Sequence, residues 1–419
     1  MTQSTTNCPQ YARDFLKALP KTDLHVHFDG SLRLTSLIQF CKKLHISLPS
    51  YTPEGLKECV FKDHYQNLGE YLDGFKYTCS ALRDPEHIEQ AAYELALDSL
   101  SEGVCYIEPR FAPQLLMDGT DALSLEAIMV ALHKGLEKAQ KEHEQRILKQ
   151  DSSLSHNLPF RFGIIACLMR KFGPKGYSPF YTNFYKFHSY SQEMEVIKAA
   201  GLELLRGLLD LRDRKGLPIV GLDLAGQEEG YPAKHFREIY SLAHRHFLRK
   251  TVHAGEAYGA ESIYSALTDC YADRIGHGYY LFDTKKILDP LIVDKNDYVQ
   301  KLIQYIAEKR ITLEVCLTSN LQTNPDIQSL AQHKLGEMLQ NRLSVSLCTD
   351  NRLISKTTVT DEYAKALAAF PLPLARLKDL VAYGFKNNFY PETYLAKRAY
   401  AKAAMKSFDQ ISSRFGYHP

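Results

Sequence analysis

The chain has 419 residues, 45% of them hydrophobic and 24% charged, with a formal net charge of +2. That length can bury a large core, as one α/β domain or as two to three smaller ones. The balanced charge, with no long basic block, excludes nucleic acid and membrane surfaces as expected partners. The longest apolar run, Gly163 to Met169, is far too short to span a bilayer. The N-terminal MTQSTTNCPQ is polar and has no charged region followed by an apolar core, so no signal peptide is expected. Nine dispersed cysteines without a C-x-x-C pair read as reduced thiols of a cytoplasmic protein.

Taken in order, short β-branched or apolar runs alternate with longer segments of helical spacing. TDLHVHF starts at Thr22, GVCYIEPRF at Gly103, FRFGIIACLMR at Phe160 and IVGLDLAG at Ile219. KTVHAGE follows at Lys250, DRIGHGY at Asp273, ITLEVCLTSN at Ile311 and LSVSLCTDN at Leu343. Segments such as PEHIEQAAYELALDSLSE and AKHFREIYSLAHRHFLRK lie between them. Eight strand-then-helix units over this length predict a (β/α)8 TIM barrel in a single domain, 1–419. The barrel is expected over about 19–371, with helices packed outside it over about 372–419. A doubly wound open sheet competes, but it usually shows a Gly-rich phosphate loop after its first strand, and HVHFDGS is not one.

Three stretches interrupt the alternation. KEHEQRILKQDSSLSHNLP from Lys141 reads as an extended helix plus a loop. An aromatic insertion over about 173–192 and a second insertion over about 281–300 both follow strands. In a barrel they stand at the C-terminal rim, where active sites form, as lids or substrate walls. Packed surface insertions or subunit contacts are the equal alternative.

The chemistry-bearing residues sit at the ends of these runs. On a strand, His25 and His27 point to the same face and can reach one metal. His244 and His246 have the same spacing, but in a helical segment they diverge by about 200° and cannot chelate one ion. His253 and Glu256 in VHAGE, His277 in GHGY and Asp350 in CTDN each end a strand and meet a glycine or polar turn. A barrel gathers those ends. Three imidazoles and one carboxylate suit zinc or another first-row divalent ion. His277 and Glu256 are left as groups able to orient a water and donate a proton. Each residue alone reads equally as a core histidine or a helix-terminal carboxylate; together, in this order, they point to a metal-dependent hydrolase.

PKTDLHVHFDGS, LDLAGQE, TVHAGE, RIGHGY, LEVCLTSN and SLCTDN, between about Leu19 and Asn351, together resemble the adenosine deaminase family of metal-dependent amidohydrolases. The resemblance implies one catalytic zinc on His25, His27, His253 and Asp350. It implies Glu256 as the acid at purine N1, and His277 as the group that orients the attacking water and helps to deprotonate it. Gly226 would contact purine N3 through its backbone, and Asp29 would hold a ribose hydroxyl. The implied reaction is attack of zinc-held hydroxide on C6 of adenosine or 2'-deoxyadenosine, a small-molecule purine nucleoside, with loss of ammonia.

Two positions depart from the family's pattern. Asn351 stands where a second Asp often contacts purine N7; its amide NH2 can donate to N7 at any pH. Cys348 stands where Asn is common, beside the metal-binding Asp350. Adenine deaminases tend to carry Glu at the Asp29 position, and N6-methyl-AMP deaminases Asn, so Asp29 favours a nucleoside with a free sugar hydroxyl. Aminodeoxyfutalosine remains an alternative substrate. A metal-binding pseudoenzyme or regulatory binding protein is the alternative from another class.

Overall fold

The computed structural model describes residues 10–66, 68–324 and 327–418. Residues 1–9, read above as free of a leader signal, lie outside them. Eight strands follow one another around the sheet in chain order. They are β1 Lys21–His27, β2 Val104–Phe111, β3 Ile164–Met169 and β4 Ile219–Ala225, then β5 Arg249–Ala254, β6 Arg274–His277, β7 Thr312–Val315 and β8 Ser344–Leu347. All neighbouring pairs are parallel. The first and last strands meet through an isolated parallel bridge between Val26 and Asp350. There the His27 N–H donates to the Asp350 carbonyl at 2.6 Å, and the Asp350 N–H to the His25 carbonyl at 2.8 Å. The expected barrel is therefore present and nearly closed.

Parallel strands covered on both faces read as nearly continuous apolar runs, and β1, β2, β7 and β8 are buried at every residue. Each of the eight runs forms a strand. The third is broken at Gly163, ahead of which Arg161–Phe162 pairs separately with β2. A side chain there would come within 2.6 Å of Val220.

The helices begin where the sequence supplies caps. Asp84 accepts from the Glu86 N–H at the start of Pro85–Ser101, and Ser124 from the Ala127 N–H at the start of Leu125–Leu148. The Lys141 stretch is, as expected, the end of that second helix plus a loop. The tail forms Leu374–Asn387 and Tyr394–Arg414, which pack on each other, the first of them also against β1 and β8.

The barrel interior is not only aliphatic. Arg110 on β2 meets Asp223 on β4 at 3.0 Å and Glu314 on β7 at 2.9 Å. Arg274 on β6 meets Glu314 at 2.6 Å and also pairs with Glu108 on β2. All five side chains are essentially solvent-free. Removing one partner from such a network strands a buried charge, at roughly 3–5 kcal/mol.

Candidate active site

Four side chains converge at the C-terminal end of the barrel. One ligand atom each from His25, His27, His253 and Asp350 lies within 4.8 Å of all the others, and all four residues are buried. The His27 and His253 Nε2 atoms are 3.2 Å apart. Asp350 Oδ1 is 3.5 Å from His25 Nε2 and 3.4 Å from His27 Nε2. Donors at about 2.0–2.1 Å from a tetrahedral zinc stand about 3.4 Å from one another, so these separations fit that ion. His25 Nε2 is buried with no hydrogen-bond partner among the described residues, as a ligand lone pair should be.

The strands explain the convergence. His25 and His27 share the inner face of β1, and His253 is the penultimate residue of β5. Asp350 lies three residues past β8, with φ +60°, in the left-handed region that L-residues rarely adopt. His277, the last residue of β6, has φ +63°. Such backbone persists only where the surroundings over-determine it, and at Asp350 the bridge to β1 does so.

The far nitrogens of two imidazoles are held by the buried acids of the interior network. His25 Nδ1 donates to Glu314 at 2.9 Å and His253 Nδ1 to Asp223 at 2.9 Å. Both Nε2 atoms are thereby left free to face the cluster, an outer-shell arrangement typical of metal-ligating histidines. Burial pushes the carboxyls of Asp223 and Glu314 up, but the neighbouring arginines and histidines more than reverse this and hold both well below the usual range. Burial holds His27 and His277 well below the ordinary histidine value, so both are neutral.

Glu256 stands three residues after His253, with Oε1 3.7 Å from His277 Nε2. Burial pushes its carboxyl up to about 7, so a protonated fraction persists at neutral pH. Its loop is fastened by Glu228, two residues past Gly226. Glu228 Oε2 accepts from the N–H groups of Glu256, Ala257 and Tyr258 at 3.2, 2.7 and 3.1 Å. Oε1 accepts from the Gly255 N–H at 3.1 Å and from the Ser262 hydroxyl. Gly226 and Gly255, with φ of +90° and +71°, make the turns that bring these two loops together.

A cavity of about 50 Å³ is lined by His27, His253, Glu256, His277, Asp350 and Asn351. A wider one of about 280 Å³ shares His27, Phe75 and Gly226 and extends to Asp29, Met169 and Tyr177. Asp29, which lines the wider cavity, is only 2% exposed. Cys79, at 3.9 Å from its carboxylate, and Tyr177 from the aromatic insertion lie around it. Burial pushes the Asp29 carboxyl up to about 7, and its Oδ1 has no hydrogen-bond partner among the described residues.

Asn351 lines the smaller cavity, but its Nδ2 already donates to the Tyr71 hydroxyl at 2.8 Å. Tyr71 in turn lies 2.8 Å from Ser355. Cys348 points its thiol at the Ser346 carbonyl, 3.5 Å away, rather than toward Asp350. Each insertion contributes residues both to a cavity wall and to the exposed surface. Tyr177 walls the cavity while Phe187 and Tyr190 are exposed. Lys285 and Lys286 wall a neighbouring cavity of about 440 Å³ that also touches Glu256, while Leu291 and Val293 are exposed. His244, near the end of the helix Arg237–Arg245, and His246, in the turn just past it, are both exposed.

Among the residues at the site that were not singled out in the sequence are Asp223, Glu314, Glu228, Asn320 and His333. For the first two a signal existed. An acid inside GLDLAG or TLEVC, where every neighbour belongs to a buried strand, requires a buried cationic or imidazole partner. Glu228, Asn320 and His333 lie in loops or a short helix, and nothing local marks their partners.

The adenosine deaminase family model matches residues 20–161 and 196–400. A probable adenosine deaminase of Dictyostelium discoideum is 29% identical over 406 residues, 96% of this chain but 45% of that one, so the chain spans less than half of that relative's length. An adenosine deaminase of Clostridium botulinum is 31% identical over 388 residues, 92% of this chain and 98% of that one. Among solved structures, an amidohydrolase from Burkhoderia ambifaria with bound Zn shares the fold. Its TM-score is 0.72 at 18% identity, over 98% of this chain and 97% of that one.

Proposed function

The chain belongs to the adenosine deaminase family, and on that premise we propose that this hydrolytic deaminase converts adenosine or 2'-deoxyadenosine to inosine or 2'-deoxyinosine and ammonia. The observation that carries the proposal is that His27, His253 and Asp350 of the metal-type cluster, with Glu256, His277 and Gly226, line a cavity that shares His27, Phe75 and Gly226 with the wider one of about 280 Å³. Asp29 lines the wider cavity, where a sugar hydroxyl would meet a carboxylate oxygen that has no hydrogen-bond partner among the described residues.

His25, His27, His253 and Asp350 would hold one zinc. A zinc ion there supplies Lewis acidity, which brings the pKa of water to roughly 7. The purine ring resists addition until a ring nitrogen next to the reacting carbon is protonated. Glu256 supplies that proton, because burial keeps its carboxyl protonated up to about pH 7. The Gly226 backbone positions the opposite edge of the ring, and His277 orients the attacking water. Asn351 donates to purine N7 with the amide N–H that its bond to Tyr71 leaves available. The eight described cysteines are all free, and no described helix is long and apolar enough to cross a membrane. Both fit the cytoplasmic location that we include in this reading.

The test is ammonia release by zinc-loaded protein from adenosine, adenine, AMP and aminodeoxyfutalosine in parallel. Fast turnover of adenosine alone is expected. Turnover of another member with silence on adenosine overturns the substrate, and silence on all four with zinc bound favours a binding protein.

A further inference from the structure

We propose that Asn320 and His333 are positioning residues that hold His277 as the tautomer with its proton on Nε2, so that His277 meets the reacting oxygen as a hydrogen-bond donor.

The polarity of the chain is set at its far end. The Leu335 backbone N–H donates to His333 Nδ1 at 3.0 Å. A backbone N–H can only donate, so His333 Nδ1 carries no proton and Nε2 must carry it. That Nε2–H donates to Asn320 Oδ1 at 3.2 Å. The amide orientation follows, because a flipped Asn320 would set its NH2 against the His333 N–H, two donors face to face. With Oδ1 toward His333, Nδ2 faces His277 Nδ1 at 3.2 Å. An amide NH2 has no acceptor capacity, so His277 Nδ1 is bare and Nε2 carries its proton.

His277, Asn320 and His333 are 1%, 2% and 3% exposed, which leaves little solvent to substitute for any link. At the near end, His277 Nε2 is buried with no hydrogen-bond partner among the described residues, and His277 lines the smaller cavity. The nearest carboxylate oxygen, on Glu256, is 3.7 Å away, beyond hydrogen-bond range. A buried N–H without an acceptor is unfavourable, and a reactant oxygen completes it. His277 in this state cannot take a proton at Nε2. It stabilises negative charge as that charge develops on the oxygen, which replaces the expectation that it deprotonates the water.

The oxygen's identity rests on the deaminase reading; the tautomer does not. Full-length, zinc-loaded protein labelled with 15N-histidine is expected to show His277 with a protonated Nε2 and an unprotonated Nδ1, its signals assigned by their loss in His277→Asn. Asn320→Asp keeps the size and the His333 bond but turns a donor into an acceptor, so His277 gains a proton on Nδ1. Reversed histidine tautomers cost up to about 10⁴-fold in kcat in other hydrolases; a fall of roughly 10²–10⁴-fold with KM and zinc content held is expected here. A wild-type His277 protonated on Nδ1 overturns the proposal, as does Asn320→Asp with the tautomer reversed and kcat unchanged. If that variant does not fold, the wild-type spectrum decides alone. Wild-type silence on adenosine sinks the substrate reading and leaves the spectrum to judge the tautomer.

Discussion

Glu256 must hold a proton while three imidazoles and a carboxylate crowd the same end of the barrel. Burial alone is the largest influence on it, and pushes its carboxyl up to about 7. Glutamine keeps the shape and can still donate a hydrogen bond, but it cannot transfer a proton. Glu256→Gln is therefore expected to lose roughly 10²–10⁴-fold in kcat, the range for acid–base contributions. Zinc content should stay at the wild-type value, because Glu256 is not among the four clustered ligand residues. Steady-state rates beside metal analysis check this, and an unchanged rate removes Glu256 from the chemistry. Glu256 was legible in the sequence only through its company, since a glutamate after a strand-end glycine alone reads equally as a helix-terminal carboxylate. Asp29 was legible as a pocket residue but not as a buried one, since the side chains around it come from residues 79 and 177, far away in sequence.

At the scale of elements, the strands were readable because burial on both faces leaves them as mostly apolar runs. The loops were not, because their partners are other loops. Glu228 shows what was hidden. In EEGYP it looks like one of two solvated acids before a turn, yet its carboxylate closes over four consecutive N–H groups of the VHAGE loop. Glu228→Gln replaces one accepting oxygen with an NH2, which leaves backbone donors facing a donor. Each stranded buried N–H costs roughly 1–3 kcal/mol, so the loop is expected to shift rather than bear it. A displacement of about 1 Å in a catalytic group costs on the order of 10²-fold in rate. The expected outcome is that loss in kcat, in protein whose circular dichroism is that of the wild type and whose zinc is retained. Equal kcat in the variant would show that the Glu256 loop holds its place without the carboxylate.

On the scale of the whole molecule, chemistry and stability occupy opposite ends of the barrel. The metal-type cluster lies at the strands' C-terminal ends. His156, in the loop before β3, packs at the other end, where its Nε2 donates to the Gly103 carbonyl at 3.2 Å. Gly103 immediately precedes β2. His156 is 8% exposed, and burial pushes it down from 6.5 to about 4. As pH falls through that interval, the unfolded chain takes up the proton while the folded chain does not, so the unfolded state gains. Stability from this group is complete above pH 6.5 and is lost progressively toward pH 4, by about 3 kcal/mol at most. Other buried groups act with the opposite sign: burial pushes Asp23 up to about 6, so the total profile does not isolate His156. The difference between wild type and His156→Gln does, since glutamine does not titrate. Denaturant midpoints at several pH values are expected to show the wild type ahead near pH 7.5 and the gap narrowing as pH falls below 6.5. A gap that stays constant from pH 7.5 to 4.5 would mean that His156 titrates alike in both states, and that burial does not hold it neutral in the folded chain.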